Sequence, residues 1–172
     1  MPRPKIDVPK SAPDVWLTCS AVLTLVALAG ITARGYAEVP NTIPLRFSTN
    51  GWPSLYPDRV IFWILPFVGS LVFGVVQLLT LRVHRFRYPV RITPHNAAAR
   101  YRTVIRLMQF LLSLLLLGLT YVQYYLLQTA AGSRPVSGLW LALPYLVALA
   151  SGTLYFARQL YTPEKEIGVL RA

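Results

Sequence analysis

The densest run of side chains able to do chemistry lies between Arg82 and Arg106, and reads RVHRFRYPVRITPHNAAARYRTVIR. Seven arginines stand there (Arg82, Arg85, Arg87, Arg91, Arg100, Arg102 and Arg106) with His84, His95 and no acidic residue. Guanidinium groups at this density favour phosphate, because each offers a planar fork of donors and keeps its charge. The histidines make a poor metal site, since no Cys, Asp or Glu stands near them to complete a ligand set, and they read as solvated loop residues. On the other side of the chain, Glu38 and Asp58 stand 20 residues apart with nothing to aim them at one another as an acid–base pair. A glycine-rich phosphate loop and a nucleophile elbow are both absent. The residues thus predict no enzymatic activity, no cofactor and no metal.

The elements around the arginine block decide which phosphate it meets. Val60–Leu81 before it and Leu107–Leu127 after it are apolar runs without a single Asp, Glu, Lys or Arg; Val15–Ala33 and Leu139–Ala157 are two more. Each has 19 to 22 residues, and a helix needs about 20 to cross a hydrocarbon core roughly 30 Å thick. In a chain of 172 residues that is 55% hydrophobic and 13% charged, four such runs predict an all-α integral membrane bundle of four spanning helices. A cytoplasmic arm, residues 1–14, precedes the membrane domain, residues 15–157, and a cytoplasmic tail, residues 158–172, follows it. An outer loop, residues 34–59, joins the first two spans, and the basic loop, residues 82–106, joins the second and third.

Charge sets the orientation. Lys and Arg number 13 in the N-terminal arm, the basic loop and the tail, against four (Arg34, Arg46, Arg59 and Arg134) on the other side. Positive charge is retained on the cytoplasmic face, so the protein is expected to be multi-pass in the inner (plasma) membrane with both termini cytoplasmic. The basic loop then meets membrane lipids through their anionic headgroups rather than nucleic acid. Three readings of it stay open: a topology determinant, an acidic-lipid site, or a docking surface for a partner's acidic face.

Within the spans, small and polar residues mark faces that pack on other helices, of this chain or of other membrane subunits. Ser20, Thr24 and Ala27 share one face of the first, which also holds the single cysteine, Cys19. Pro66, Ser70, Gly74 and Gln77 share one face of the second, with Pro66 expected to bend it about two turns in. Gln109, Ser113, Thr120, Gln123 and Tyr124 form a polar arc on the third, and Pro144, Ala148, Ser151 and Tyr155 line the fourth, with Ala148 and Gly152 allowing close approach. Asp14 is placed to cap the first helix, and Asn96–Arg106 to start the third before it enters the membrane. No ionisable acid, base or histidine lies at membrane depth, which argues against a proton-coupled transporter or a histidine-ligated pigment carrier, and no small-molecule substrate is evident.

The outer loop carries four prolines, which forbid a continuous helix, and Asn50-Gly51, a turn signal. Its hydrophobic residues predict an ordered cap at the membrane interface. Ile43-Pro44-x-Arg46-Phe47, followed by Gly51 and Pro53, resembles the IP-x-HF-x-x-x-G-x-P-D motif of the SdpI-like family, bacterial membrane proteins that include immunity proteins against a sporulation-delaying toxin. The resemblance covers roughly Val15 to Leu127. In this chain the motif's histidine is Arg46 and its final aspartate is Ser54. The resemblance implies an immunity or signalling protein, with Ile43, Pro44, Arg46, Phe47, Asn50, Gly51 and Pro53 meeting a peptide or partner outside. The expectation preferred here, given those departures, is a non-catalytic accessory or scaffolding subunit of a larger bacterial membrane complex.

Overall fold

Ser11 has extended backbone, and its N–H and its hydroxyl both donate to Asp14 Oδ2 at 2.7 Å. This closes the start of helix α1, Ala12–Glu38, where the leading N–H groups lack partners of their own. Pro13 in the first turn costs no helical hydrogen bond. The helix continues past Ala33 to Glu38, so Arg34 and Tyr36 lie on helix rather than in the connecting loop. The computed structural model describes residues 11–39, 59–86, 96–131 and 139–161.

The second helical segment opens with a tight 3₁₀ turn, Arg59–Trp63, and becomes helix α2 over Ile64–Leu81. Pro66 therefore falls in the first turn of α2 instead of bending it farther in, as the sequence led us to expect. A proline is tolerated there because its missing N–H removes only one early bond. A second 3₁₀ turn, Val83–Arg85, follows α2.

Helix α3, Ala97–Ala130, has 34 residues, about 51 Å at 1.5 Å per residue. That exceeds a hydrocarbon core of roughly 30 Å, so several turns stand outside it. Helix α4, Leu139–Tyr161, has 23 residues with Pro144 inside it. The described residues are all-helical, and three segments are long and apolar enough to cross a membrane: Ala12–Glu38, Arg59–Leu81 and Ala97–Ala130.

α3 is the axis of the bundle: α1 packs along much of it, and α2 and α4 also lie against it. α1 touches α2 as well. The core accordingly forms as three clusters spaced along α3. Val83, Ala97 and Tyr101 meet at the arginine-bearing end. Ala21, Leu112 and Leu116 lie in the middle, with Val72, Phe73 and Val76 of α2 against them. Val39, Phe62 and Leu127 close the opposite end.

Candidate functional site

The arginine end is built by α3's extension beyond the apolar run. Arg106 donates from Nε to Asp14 Oδ1 at 2.5 Å and from Nη2 to Ser11 Oγ at 2.7 Å. The Ser11 hydroxyl thus donates a hydrogen bond to Asp14 while accepting one from Arg106. Arg102 Nε stands 4.0 Å from Asp14 Oδ2. Asp14 is the only acid in a recorded ion pair among the described residues, and it joins the start of α1 to the first turns of α3.

Arg100 points elsewhere. Only 7% exposed, it donates from Nη1 to the backbone carbonyls of Gln159 (2.6 Å) and Leu160 (2.5 Å) in the last turn of α4. Terminal carbonyls of a helix have no partner in the helix and carry the negative end of its dipole, so a guanidinium is well suited to cap them. The sequence led us to expect all seven arginines of this stretch to contact lipid or a partner. Arg100 and Arg106 are engaged inside the chain, whereas Arg82 is exposed. Arg87, Arg91 and the side chain of Arg85 lie outside the described residues, as do Ile43, Pro44, Arg46, Phe47, Asn50, Gly51 and Pro53 of the outer-loop motif.

Within the long apolar helices, polar side chains meet one another. Gln109 donates from Nε2 to Gln77 Oε1 at 3.0 Å, and Gln77 Nε2 lies 3.4 Å from Gln109 Oε1, which gives a reciprocal amide pair between α2 and α3. The hydroxyls of Ser20 and Ser113 are 2.9 Å apart, and Thr120 Oγ1 lies 3.4 Å from the carbonyl of Thr24. Bonds of this kind contribute about 0.6 kcal/mol each on average in a membrane bundle. Their larger effect is on register, because an amide left alone in hydrocarbon is costly.

Gln123, fully buried, donates from Nε2 to the carbonyl of Phe62 at 3.0 Å. Phe62 is four residues before Pro66, so its carbonyl is the one a helical N–H at position 66 would have satisfied. Gln123 supplies from α3 the donor that Pro66 lacks. Tyr124, placed on the same arc by its spacing, is exposed instead.

Ser70 and Gly74 do not join the intrachain seam. Ser70 is exposed and bonds back to the Pro66 carbonyl at 2.8 Å, and a Cβ at Gly74 would meet nothing within 4 Å. The close approach is at Gly69, where a Cβ would sit 3.0 Å from Leu28 and 3.3 Å from Leu116. On α4, Gly152 lies directly against the ring of Phe110 with no room for a side chain, and Ala148 is half-buried. Pro144, Ser151 and Tyr155 are exposed, while Phe156 and Leu160 turn inward. The inner face of α4 is therefore the Ala148–Gly152–Phe156–Leu160 row, spaced by four. The signal for Gly69 was its position three residues after the buried Pro66; the polarity of Ser70 drew attention one residue away.

A third grouping sits at the end opposite the arginines. The Arg59 guanidinium carbon lies 4.4 Å from the centroid of the Tyr36 ring, and that ring is tilted 56° against Trp63 with centroids 6.3 Å apart. Arg59 and Trp63 stand four residues apart on one segment, but no sequence spacing links either to Tyr36. Comparison with family models, curated proteins and solved structures yields no match to this chain.

Proposed function

We propose that this protein is a non-catalytic accessory or scaffolding subunit of a larger bacterial membrane complex. In this reading it is a four-span helical bundle of the plasma membrane, α4 being the fourth span, with both ends cytoplasmic. Support for the orientation comes from the Arg106–Asp14 and Arg100–Leu160 bonds, which gather the start of α1, the start of α3 and the end of α4 at one pole. That pole is also the one the charge bias assigns to the cytoplasm.

The observation that carries the scaffolding reading is the open face of α2. Intrachain packing uses Gly69; one helical turn apart, Ser70 is exposed and half-buried Gly74 has open space where a side chain would stand. A small-xxx-small pair of this kind lets a second helix come close without a side chain in the way. Gln77, Gln109, Ser20, Ser113 and the Gln123 amide N–H, by contrast, are occupied in bonds between helices. Holding suits this chain better than transport.

Purification from the native host in gentle detergent, followed by mass identification, tests the proposal. Stoichiometric partner subunits are expected with the wild type, and their loss with Gly74→Leu while helicity stays unchanged. A wild-type protein that purifies alone refutes the reading. The SdpI-like alternative makes a separate prediction: a deletion strain challenged with secreted peptides becomes sensitive, and unchanged survival counts against it.

A further inference from the structure

We infer that the end of the bundle opposite the arginine pole carries a phospholipid site, with Arg59 as the headgroup ligand, Tyr36 as its shelf and the outer face of α2 as the bed for an acyl chain. The inference rests on the membrane reading. Among the described residues both recorded ion pairs are made by Asp14, and Arg59 has no carboxylate partner. Its guanidinium carbon instead lies over the Tyr36 ring, 4.4 Å from the centroid. Trp63 backs that ring.

An arginine resting on an aromatic ring has already given up much of its side-chain freedom, yet the ring takes up none of the N–H donors of its fork. Phosphate oxygens fit that fork in pairs. Tyr and Trp also concentrate where a bilayer passes from hydrocarbon to headgroup, since each has an apolar body and a polar tip. All three residues therefore suit the same depth.

The surface below them separates a lipid from free phosphate. Ile64, Val68 and Leu71 follow at helical spacing on α2, beside rather than on the Ser70–Gly74 stripe, and each is exposed. They form an apolar track that leads away from Arg59 toward the middle of the bundle. Inorganic phosphate gains nothing from such a track, whereas a phospholipid covers it with a chain while its headgroup reaches Arg59.

The test uses the full chain in proteoliposomes containing phosphatidylglycerol with a photoactivatable diazirine beside its headgroup, and peptide mapping of the label. Labelling of the Arg59–Trp63 turn is expected in the wild type. It should fall about tenfold with Arg59→Ala, which removes a charge-assisted contact. It should fall about threefold with Tyr36→Leu, which leaves the charge but takes away the shelf. Arg34→Ala, on the exposed side of the same helical extension, should leave it unchanged. Arg59→Gln replaces alanine if the helix start proves sensitive. Undiminished labelling in the Arg59 variants overturns the site. So does equal labelling by a diacylglycerol probe, which has the chains without the phosphate, and erasure of labelling by excess inorganic phosphate identifies free phosphate as the ligand and also overturns the lipid site. A probe with its diazirine at the chain end keeps the premise separate: if it labels none of α2, the membrane reading has failed, not the headgroup site alone.

Discussion

The two poles of the bundle use arginine in opposite ways. At the pole holding Asp14, Arg106 and Arg100 bond to groups of their own chain, a carboxylate and the spare carbonyls of a helix end. At the other pole Arg59 rests on a ring and meets no carboxylate among the described residues, and cohesion comes from Val39, Phe62 and Leu127 with one amide, Gln123, among them. The contrast shows that positive charge near a membrane has two distinct uses. Where an acid or a helix-end carbonyl takes the fork, the arginine becomes internal hardware; where neither does so among the described residues, as at Arg59, the fork remains for something outside the chain.

Breaking the first pole should have the largest effect. Asp14→Ala leaves Arg106 partly buried without its counter-charge, and destabilisation of about 3 kcal/mol is expected, the low end for a broken buried pair because Arg106 keeps some access to water. Reversible unfolding in mixed micelles followed by circular dichroism measures it. The double variant Asp14→Ala/Arg106→Leu should recover part of the loss, since no lone charge then remains. Arg100→Met comes next, at about 2 kcal/mol for orphaning the last carbonyls of α4. Hydrogen exchange should quicken in the final turn of α4 and not in α1.

At the opposite pole, Gln123→Leu strips the Phe62 carbonyl of its donor, for about 1.5 kcal/mol. Exchange should rise around Ile64 to Gly69, next to Pro66. The smallest effect lies between the poles. Gln109→Leu alone strands the Gln77 amide and should cost about 1 kcal/mol, while Gln77→Leu/Gln109→Leu should unfold within about 0.6 kcal/mol of the wild type. A double variant clearly worse than the single would show that the pair does more than satisfy itself.

Much of the helical architecture was legible from composition, because an uninterrupted apolar run of about 20 residues has few stable alternatives to a helix in lipid. The start of α3 could also be read from Pro94, Asn96 and the alanines after it. Which side of each helix turns inward was harder. In water an inward face is marked by being apolar, but lipid makes the outward face apolar too, so Ser70 and Gly69 could not be ranked by chemistry alone. Side-chain pairing was equally hidden: Arg106 finds Asp14 92 residues away, and Arg100 finds Leu160 at a separation of 60. No local pattern encodes either partner, and one lies at an end of α4 whose free carbonyls belong to the backbone rather than to any residue type. The Arg59–Tyr36–Trp63 corner escaped notice for the same reason.

The bond from Gln123 to the Phe62 carbonyl has a mechanical consequence. Ordinarily a proline near the top of a span frees the preceding turn to swing like a hatch, because the rung that would hold it is gone. Here the missing rung is supplied by a neighbouring span, so the tip of the second membrane segment is latched to the third and the pair must tilt as one plank. Anything that arrives at that pole meets a lid already bolted shut.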